Sequence, residues 1–258
     1  MWQQIREIYL YREMLRNLIS KEIRARYKAS FLGFIWTFAN PLLMLAIYSI
    51  VFGYMMKSQV QHYTMFLFVA LLPWNCISQT VLQGSASLTQ NSNLVKKIYF
   101  PRALLPLSIV CANVVNYLLG LIILVPALIL SHITLTFVVI AFPVILLIQT
   151  LFVVSLTLIV AVGNVYLRDL EHLVNVMVMM WFFLTPVLYK IDSMPAKIRP
   201  LFNLNPAAAI IDAYREIFFY GSWPNWAHLG WLALTLVGVL FICWSLFMRL
   251  QRDIAEEI

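Results

Sequence analysis

Three cations at alternate positions, Arg24, Arg26 and Lys28, stand immediately before the first long apolar run of the chain. Basic side chains at the foot of an apolar segment attract phosphate-bearing headgroups, and plain binding of anionic lipid accounts for them equally well. A second group is the loop Asn93-Leu94-Val95-Lys96-Lys97-Ile98-Tyr99-Phe100-Pro101-Arg102, which sets lysines among apolar side chains. Exposed apolar groups on a short loop are costly in water unless they bury into something. A groove on a partner protein is the natural recipient, with interfacial lipid as the other. The third group is aromatic. Phe31, Phe34 and Phe38 fall on about one face of a helix that also carries Trp36, and Trp181-Phe182-Phe183 is followed by Tyr189. Ring faces stack on sugars without demanding one hydroxyl pattern, which suits a sliding polysaccharide. An interfacial aromatic belt and core packing are the competing readings.

Catalytic chemistry is missing from the pattern. There is no G-x-x-x-x-G-K-[ST] phosphate loop, so the chain is not expected to hold ATP itself, and no H-E-x-x-H or G-x-S-x-G occurs. His62, His132, His172 and His228 are scattered, and Cys76, Cys111 and Cys243 are far apart in apolar segments. The apolar runs hold no acidic or basic groups of the kind that ion-coupled transport or intramembrane catalysis requires. These absences leave a passive conduit driven by something else, with a membrane-bound enzyme as the other class.

The elements that position these groups follow from composition. Hydrophobic residues make up 62% of the 258, charged residues 11%, and the mean hydropathy is +0.85. A soluble domain carries about 25% charged residues, so most of this surface meets lipid. Runs free of Asp, Glu, Lys and Arg cover 29–56, 58–95, 103–167, 173–189 and 217–248. At about 20 residues per crossing, they predict six transmembrane helices near 30–56, 63–88, 104–130, 134–162, 173–189 and 227–248. Unbroken runs, rather than alternating ten-residue segments, exclude a β-barrel. The expected fold is an all-α integral membrane protein.

Of the 18 lysines and arginines, thirteen fall before the first span, between spans two and three, between four and five, and in the tail. The remaining five lie in the other loops. That asymmetry places both termini in the cytoplasm and explains the net charge of +7 without nucleic acid. No cleavable signal peptide is expected, because the apolar run begins only after residue 28 and is too long. No internal repeat is evident, which weighs against transporters built from inverted halves. Residues 1–28 show helical spacing of Ile5, Ile8, Tyr9, Leu15, Ile19 and Ile23, predicting an amphipathic helix at the cytoplasmic interface, apolar face in lipid. It serves as a topology anchor or as part of a docking surface. Between spans five and six, Asn205 reads as an N-cap with Pro206 at the first helical position. Ala207, Ile210, Ile211, Tyr214, Ile217 and Phe218 make one face, Asp212, Arg215 and Glu216 the other, and Gly221 closes the helix. A helix pair dipping into the outer leaflet and an external helix lying flat both fit.

Several motifs recur in order along the chain. They are Arg26-Tyr27, Ser30, Leu32-Gly33, Trp36 and Pro41-Leu42; Leu71-Leu72-Pro73-Trp74; the loop from Asn93 to Arg102 followed by Leu105-Pro106; Asn164, Tyr166 and Arg168-Asp169; Thr185-Pro186-Val187 with Tyr189; and Asn205-Pro206 with Tyr214-Arg215. Together they resemble the transmembrane permeases of type-2 ABC exporters for bacterial surface polysaccharides, which carry O-antigen, wall teichoic acid or capsule. The resemblance covers nearly the whole chain. It implies a pore-forming permease rather than an enzyme, in the bacterial plasma membrane, built as a 1–28 interface helix and a 29–258 transmembrane domain. Two copies would form a homodimer over two separate ATPase subunits, which would bind ATP and Mg; this chain would hold no cofactor and no metal. Residues 91–102 would be the coupling helix seated on the ATPase. Spans one and five would line the path and its lateral opening. Re-entrant helices over 200–221, with Asn205, Pro206, Tyr214 and Arg215, would form the outer gate. The cargo would be a polyprenyl-diphosphate-linked glycan or teichoic acid, whose diphosphate the Arg24, Arg26 and Lys28 group would attract. Export of lipid or drug by the same architecture is the alternative.

Overall fold

The computed structural model describes residues 2–26, 33–51, 62–191, 194, 195, 197, 199, 202, 204–251 and 254; the side chains of residues 2–5, 34 and 37 are also outside that description. Among the described residues the secondary structure is entirely helical. Four helices are long and apolar enough to cross a membrane by length and composition. They are α4 (Tyr63–Ser85), α6 (Leu104–Leu130), α7 (Phe142–Tyr166, extended by a 3-10 turn from Phe137) and α10 (Trp226–Leu250). Two shorter apolar helices, α3 (Trp36–Tyr48) and α8 (Leu170–Leu184), occupy the places expected for the first and fifth spans. At about 1.5 Å per residue, the 15 residues of α8 reach about 22 Å.

Helix α4 sits at the centre, touching α6, α7 and α8, while α10 lies along α7. Its most apolar stretch is 83% buried, which explains why its apolar residues run all the way round it rather than along a stripe. Proline lies inside α3 (Pro41), α4 (Pro73) and α6 (Pro126). Neighbouring helices in a bundle of this kind satisfy the backbone groups that such prolines free. Gly84 permits the closest crossing: a Cβ there would sit 2.2 Å from Cγ2 of Thr157 on α7.

The amino-terminal segment is two helices, α1 (Trp2–Leu10) and α2 (Arg12–Ala25), hinged at Tyr11. Its apolar face is divided. Leu18 is buried, and Ile8, Tyr11, Met14 and Leu15 pack against a second apolar cluster containing Leu104, Leu158 and Phe247. Tyr9 and Leu10 stay exposed. α2 lies on α6, and of the apolar face read from the sequence Ile8 and Leu15 pack on protein while Tyr9 stays exposed, so that face is not turned wholly to lipid. The short helix α5 (Ser92–Lys97) follows α4 on the same end of the bundle.

Helix α9 (Pro206–Arg215) begins as its sequence requires. Asn205 Oδ1 accepts from the Ala207 amide at 3.1 Å, and Pro206 occupies the first turn. It continues through a π-turn, Glu216–Tyr220, and ends at Gly221 with φ +65°, a conformation open to glycine. The same capping recurs where the Asn225 side chain accepts from the His228 amide at the start of α10. The predicted apolar face of α9 is buried almost completely. Arg215 departs from expectation: assigned to the polar face, it is only 2% exposed.

Candidate coupling surface and conduit

The loop from Asn93 to Arg102 divides into anchors and presented side chains. Val95 and Phe100 are buried in the cluster that α2 also covers, with Leu94 packed partly against it. Asn93, Lys96, Lys97, Ile98 and Tyr99 face outward, and Tyr99 is 91% exposed. A large aromatic ring held out by two buried neighbours is costly in water and suited to a partner's groove. The mount is tied from two sides. Lys21 Nζ on α2 donates to Asn91 Oδ1 at 2.8 Å, and the Arg102 guanidinium donates to the carbonyl of Gln251 beyond α10. Beside it lies a cavity of about 910 Å³ whose wall includes Glu7, Tyr11, Lys96, Tyr99 and Gln251. The amino-terminal helices thus share one surface with α5.

Of the three cations before α3, Arg24 is exposed and Arg26 is turned inward. The Arg26 guanidinium donates to Gln83 Oε1 at 2.7 Å and to Asn113 Oδ1 at 2.8 Å. Lys28 lies outside the described residues. The sequence reading missed Gln83 and Asn113, although their place as polar groups inside charge-free runs was the available signal.

The aromatic residues separate in the same manner. Trp36 and Phe38 are half-buried on α3; Phe31 and the side chain of Phe34 lie outside the described residues. Trp181 is engaged within the protomer, its ring edge-on to Trp74 at 5.8 Å and to Phe152 at 5.6 Å. Phe182 packs on Trp74, whereas Phe183 is exposed. Between α3 and α8 runs a groove of about 370 Å³ faced by Met44, Tyr48, Trp74, Phe182 and Phe183. The Tyr189 hydroxyl donates to the Phe183 carbonyl at 2.8 Å, closing the chain back on the end of α8.

At the opposite end from α5, two side chains fasten α9 to the segment after α8. Asn205 accepts from the Trp181 indole N–H at 3.0 Å and donates to Thr185 Oγ1 at 3.0 Å and to the Leu184 carbonyl at 3.2 Å. Arg215 donates to the carbonyls of Pro186 and Val187, and its guanidinium lies 3.7 Å from the centre of the Phe66 ring. Asp212, 3.7 Å away, supplies a carboxylate. Burial pulls the Arg215 guanidinium down to about 10, so it remains charged at neutral pH. The short Thr185-Pro186-Val187 segment therefore has two of its carbonyls, those of Pro186 and Val187, gathered by one cation. Tyr214 is fully buried against Tyr117, Phe142 and Phe218. Phe66, the ring beneath Arg215, carried no sequence signal that set it apart from other apolar residues of α4.

Residues 13–219 match the family model described as ABC-2 type transporter. The chain belongs to the ABC-2 type transporter family. Its similarity to curated members extends almost end to end. It is 36% identical to an O-antigen export system permease protein of Myxococcus xanthus, over 98% of each chain. It is 32% identical to one of Klebsiella pneumoniae, over 96% of this chain and 95% of that one, and 30% identical to a second from the same organism. ABC-2 membership makes the chain a multi-pass membrane permease subunit rather than an enzyme, with ATP hydrolysis in a separate subunit. The ABC-2 match runs from α2 through the π-turn after α9, so it includes α5, the α3/α8 groove and the α9 fastening.

Proposed function

We propose that this chain is the permease subunit of an ATP-driven exporter that moves a polyprenyl-diphosphate-linked polysaccharide or teichoic acid from the cytoplasm to the outer face of a bacterial plasma membrane. The observation that carries the reading is the outward mount of Lys96, Lys97, Ile98 and Tyr99 on buried Val95 and Phe100. A rigid apolar and basic projection at the end of a bundle receives a push from a docked ATPase and passes it to α4 and α6. Two ATPase subunits supply ATP and Mg, and this chain contributes no cofactor. The relatives' names, which specify O-antigen export, support a glycan cargo.

In this reading α3 and α8 complete six spans, both termini are cytoplasmic, and two copies pair so that their α3/α8 grooves face one path. Phe183 with Phe182 and Tyr48 offers ring surface there, and Trp181 holds the wall from behind. Residues 200–221 dip into the outer leaflet as a gate that Asn205 and Arg215 fasten to the end of the fifth span. Arg24, exposed near the inner mouth, attracts the incoming diphosphate.

The test is a gentle detergent purification of the tagged chain from its native membranes, with partner identification and mass measurement. A two-plus-two complex with an ATPase, and loss of surface glycan when the chain is deleted, is the expected result. A lone chain, or one held by lipid-modifying enzymes without an ATPase, overturns it. Deletion that abolished drug resistance and left surface glycan intact would reassign the cargo.

A further inference from the structure

The Arg26 network lies on a cavity of about 680 Å³ between α3, α4 and α6. Its wall has an unusual concentration of carboxamides: Asn40 from α3, Asn75, Gln79 and Gln83 from α4, Asn113 and Asn116 from α6. The three from α4 follow at four-residue intervals, so they form one stripe about 12 Å long. Asn113 and Asn116, three residues apart, share a face of α6. Both helices are candidate membrane spans, where a polar side chain is costly unless it finds a partner or lines a polar cavity. Gln83 and Asn113 find Arg26 and each other. Asn116 does not: its amide nitrogen and oxygen are both buried, and neither has a hydrogen-bond partner among the described residues. A buried amide kept unpaired on a cavity wall calls for an explanation outside the protein's own bonding.

The chemistry of the wall says what would satisfy it. A carboxamide offers donors and an acceptor together, matching a hydroxyl that gives and takes a hydrogen bond at once, and a guanidinium matches phosphate. Among the described lining residues Arg26 is the single charged group, so the cavity is electropositive. Trp36 and Tyr117 add ring surface. We infer that this cavity binds a phosphate-bearing, hydroxyl-rich lipid headgroup, its phosphate at Arg26 and its hydroxyls along the amides of α4 and α6. Two sources share that chemistry: the head of a polyprenyl-diphosphate sugar, which rests on the export reading above, and phosphatidylglycerol from the bilayer, which does not. One protomer makes the whole contact.

The test measures lipid retention by the permease–ATPase complex in nanodiscs, using native mass spectrometry. The two probes are undecaprenyl-diphosphate carrying one N-acetylglucosamine and phosphatidylglycerol. Asn116→Leu and Gln79→Leu are compared with wild type. Gln79 is exposed toward the cavity, so its replacement reports even if the buried Asn116→Leu fails to assemble. Loss of one well-formed hydrogen bond to a charged or hydroxylated headgroup is expected to weaken retention about tenfold. Weakening of the sugar diphosphate assigns the site to cargo, and weakening of phosphatidylglycerol alone assigns it to bilayer lipid; both support the inference. Unchanged retention of both probes by assembled variants overturns it. Retention is read without transport, so failure of the export reading shows separately, as absent glycan export in wild-type reconstitution.

Discussion

Arg215 shows how far one side chain reaches. It sits on a helix whose neighbours Asp212 and Glu216 turn toward the pocket at the α9–α10 junction, yet its guanidinium passes beneath the chain to collect the carbonyls of Pro186 and Val187 over the Phe66 ring. Proline at 186 and the break after α8 leave those carbonyls without helical donors, so a forked cation is their satisfaction. Arg215→Met should strand them at about 1–3 kcal/mol for each carbonyl left unpaired. Arg215→Lys, a point charge without the fork, should fall between. Thermal unfolding of the detergent-purified complex checks the order wild type, Lys, Met. Equal midpoints for all three would remove the fastening role. Tyr99 is the opposite case, a ring with almost no contact in its own protomer. Tyr99→Ala should leave the permease's unfolding stability unchanged within about 0.5 kcal/mol while reducing ATPase co-purification several-fold; Phe100→Ala should lower both, since it also leaves a cavity costing about 3–5 kcal/mol in the cluster around Leu104 and Phe247.

At the level of elements, the crossing of α4 and α7 depends on what Gly84 lacks. Thr157 Cγ2 occupies the space where a Cβ would be, and its hydroxyl is committed to the Val153 carbonyl at 2.6 Å. Gly84→Ala should therefore push the helices apart at about 1–3 kcal/mol. Thr157→Ser removes the obstructing methyl and keeps the hydroxyl, so the double variant should recover much of the loss. A double-mutant cycle on the unfolding midpoint decides it, and strict additivity would show that the contact is not the cause. Val95 and Phe100 share a buried cluster with Leu158 and Val162 of α7, so a loosened α4–α7 crossing should also weaken the mount for Tyr99.

Across the whole molecule, the charge asymmetry and the placement of α5 and α9 at opposite ends of the bundle point to one orientation. In a chain with Cys76, Cys111 and Cys243 replaced by serine, a single cysteine at Tyr99 should react with an impermeant thiol reagent only from the cytoplasmic side. One at Trp223, half exposed at 51% in the loop before α10, should react only from outside. Labelling of both from one side would remove the six-span topology, because an odd number of crossings between residues 99 and 223 would no longer hold. The family match covers residues 13–219, a stretch that includes both α5 and α9.

The amino-acid sequence by itself determined the solvent of this protein, its helical class, the caps of α9 and the identity of the projecting loop. Hydropathy runs, juxtamembrane cations and Asn-Pro starts are local signals, and each is read within about 20 residues. It could not divide that loop into anchors and presented groups, because Val95, Ile98, Tyr99 and Phe100 are equally apolar and only packing against α6, α7 and α10 selects which are buried. Nor could it separate Trp181 from Phe183: adjacent aromatics on a helix point about 100° apart per residue, and the position of Trp74 decides which one is enclosed. Arg215 went to the polar face because charge usually seeks water; its burial needs the Pro186 and Val187 carbonyls and the Phe66 ring, which come from 28 to about 150 residues away in the chain. The carboxamide wall was dispersed over Asn40, Gln79 and Asn116, which only the crossing of α3, α4 and α6 brings to one cavity.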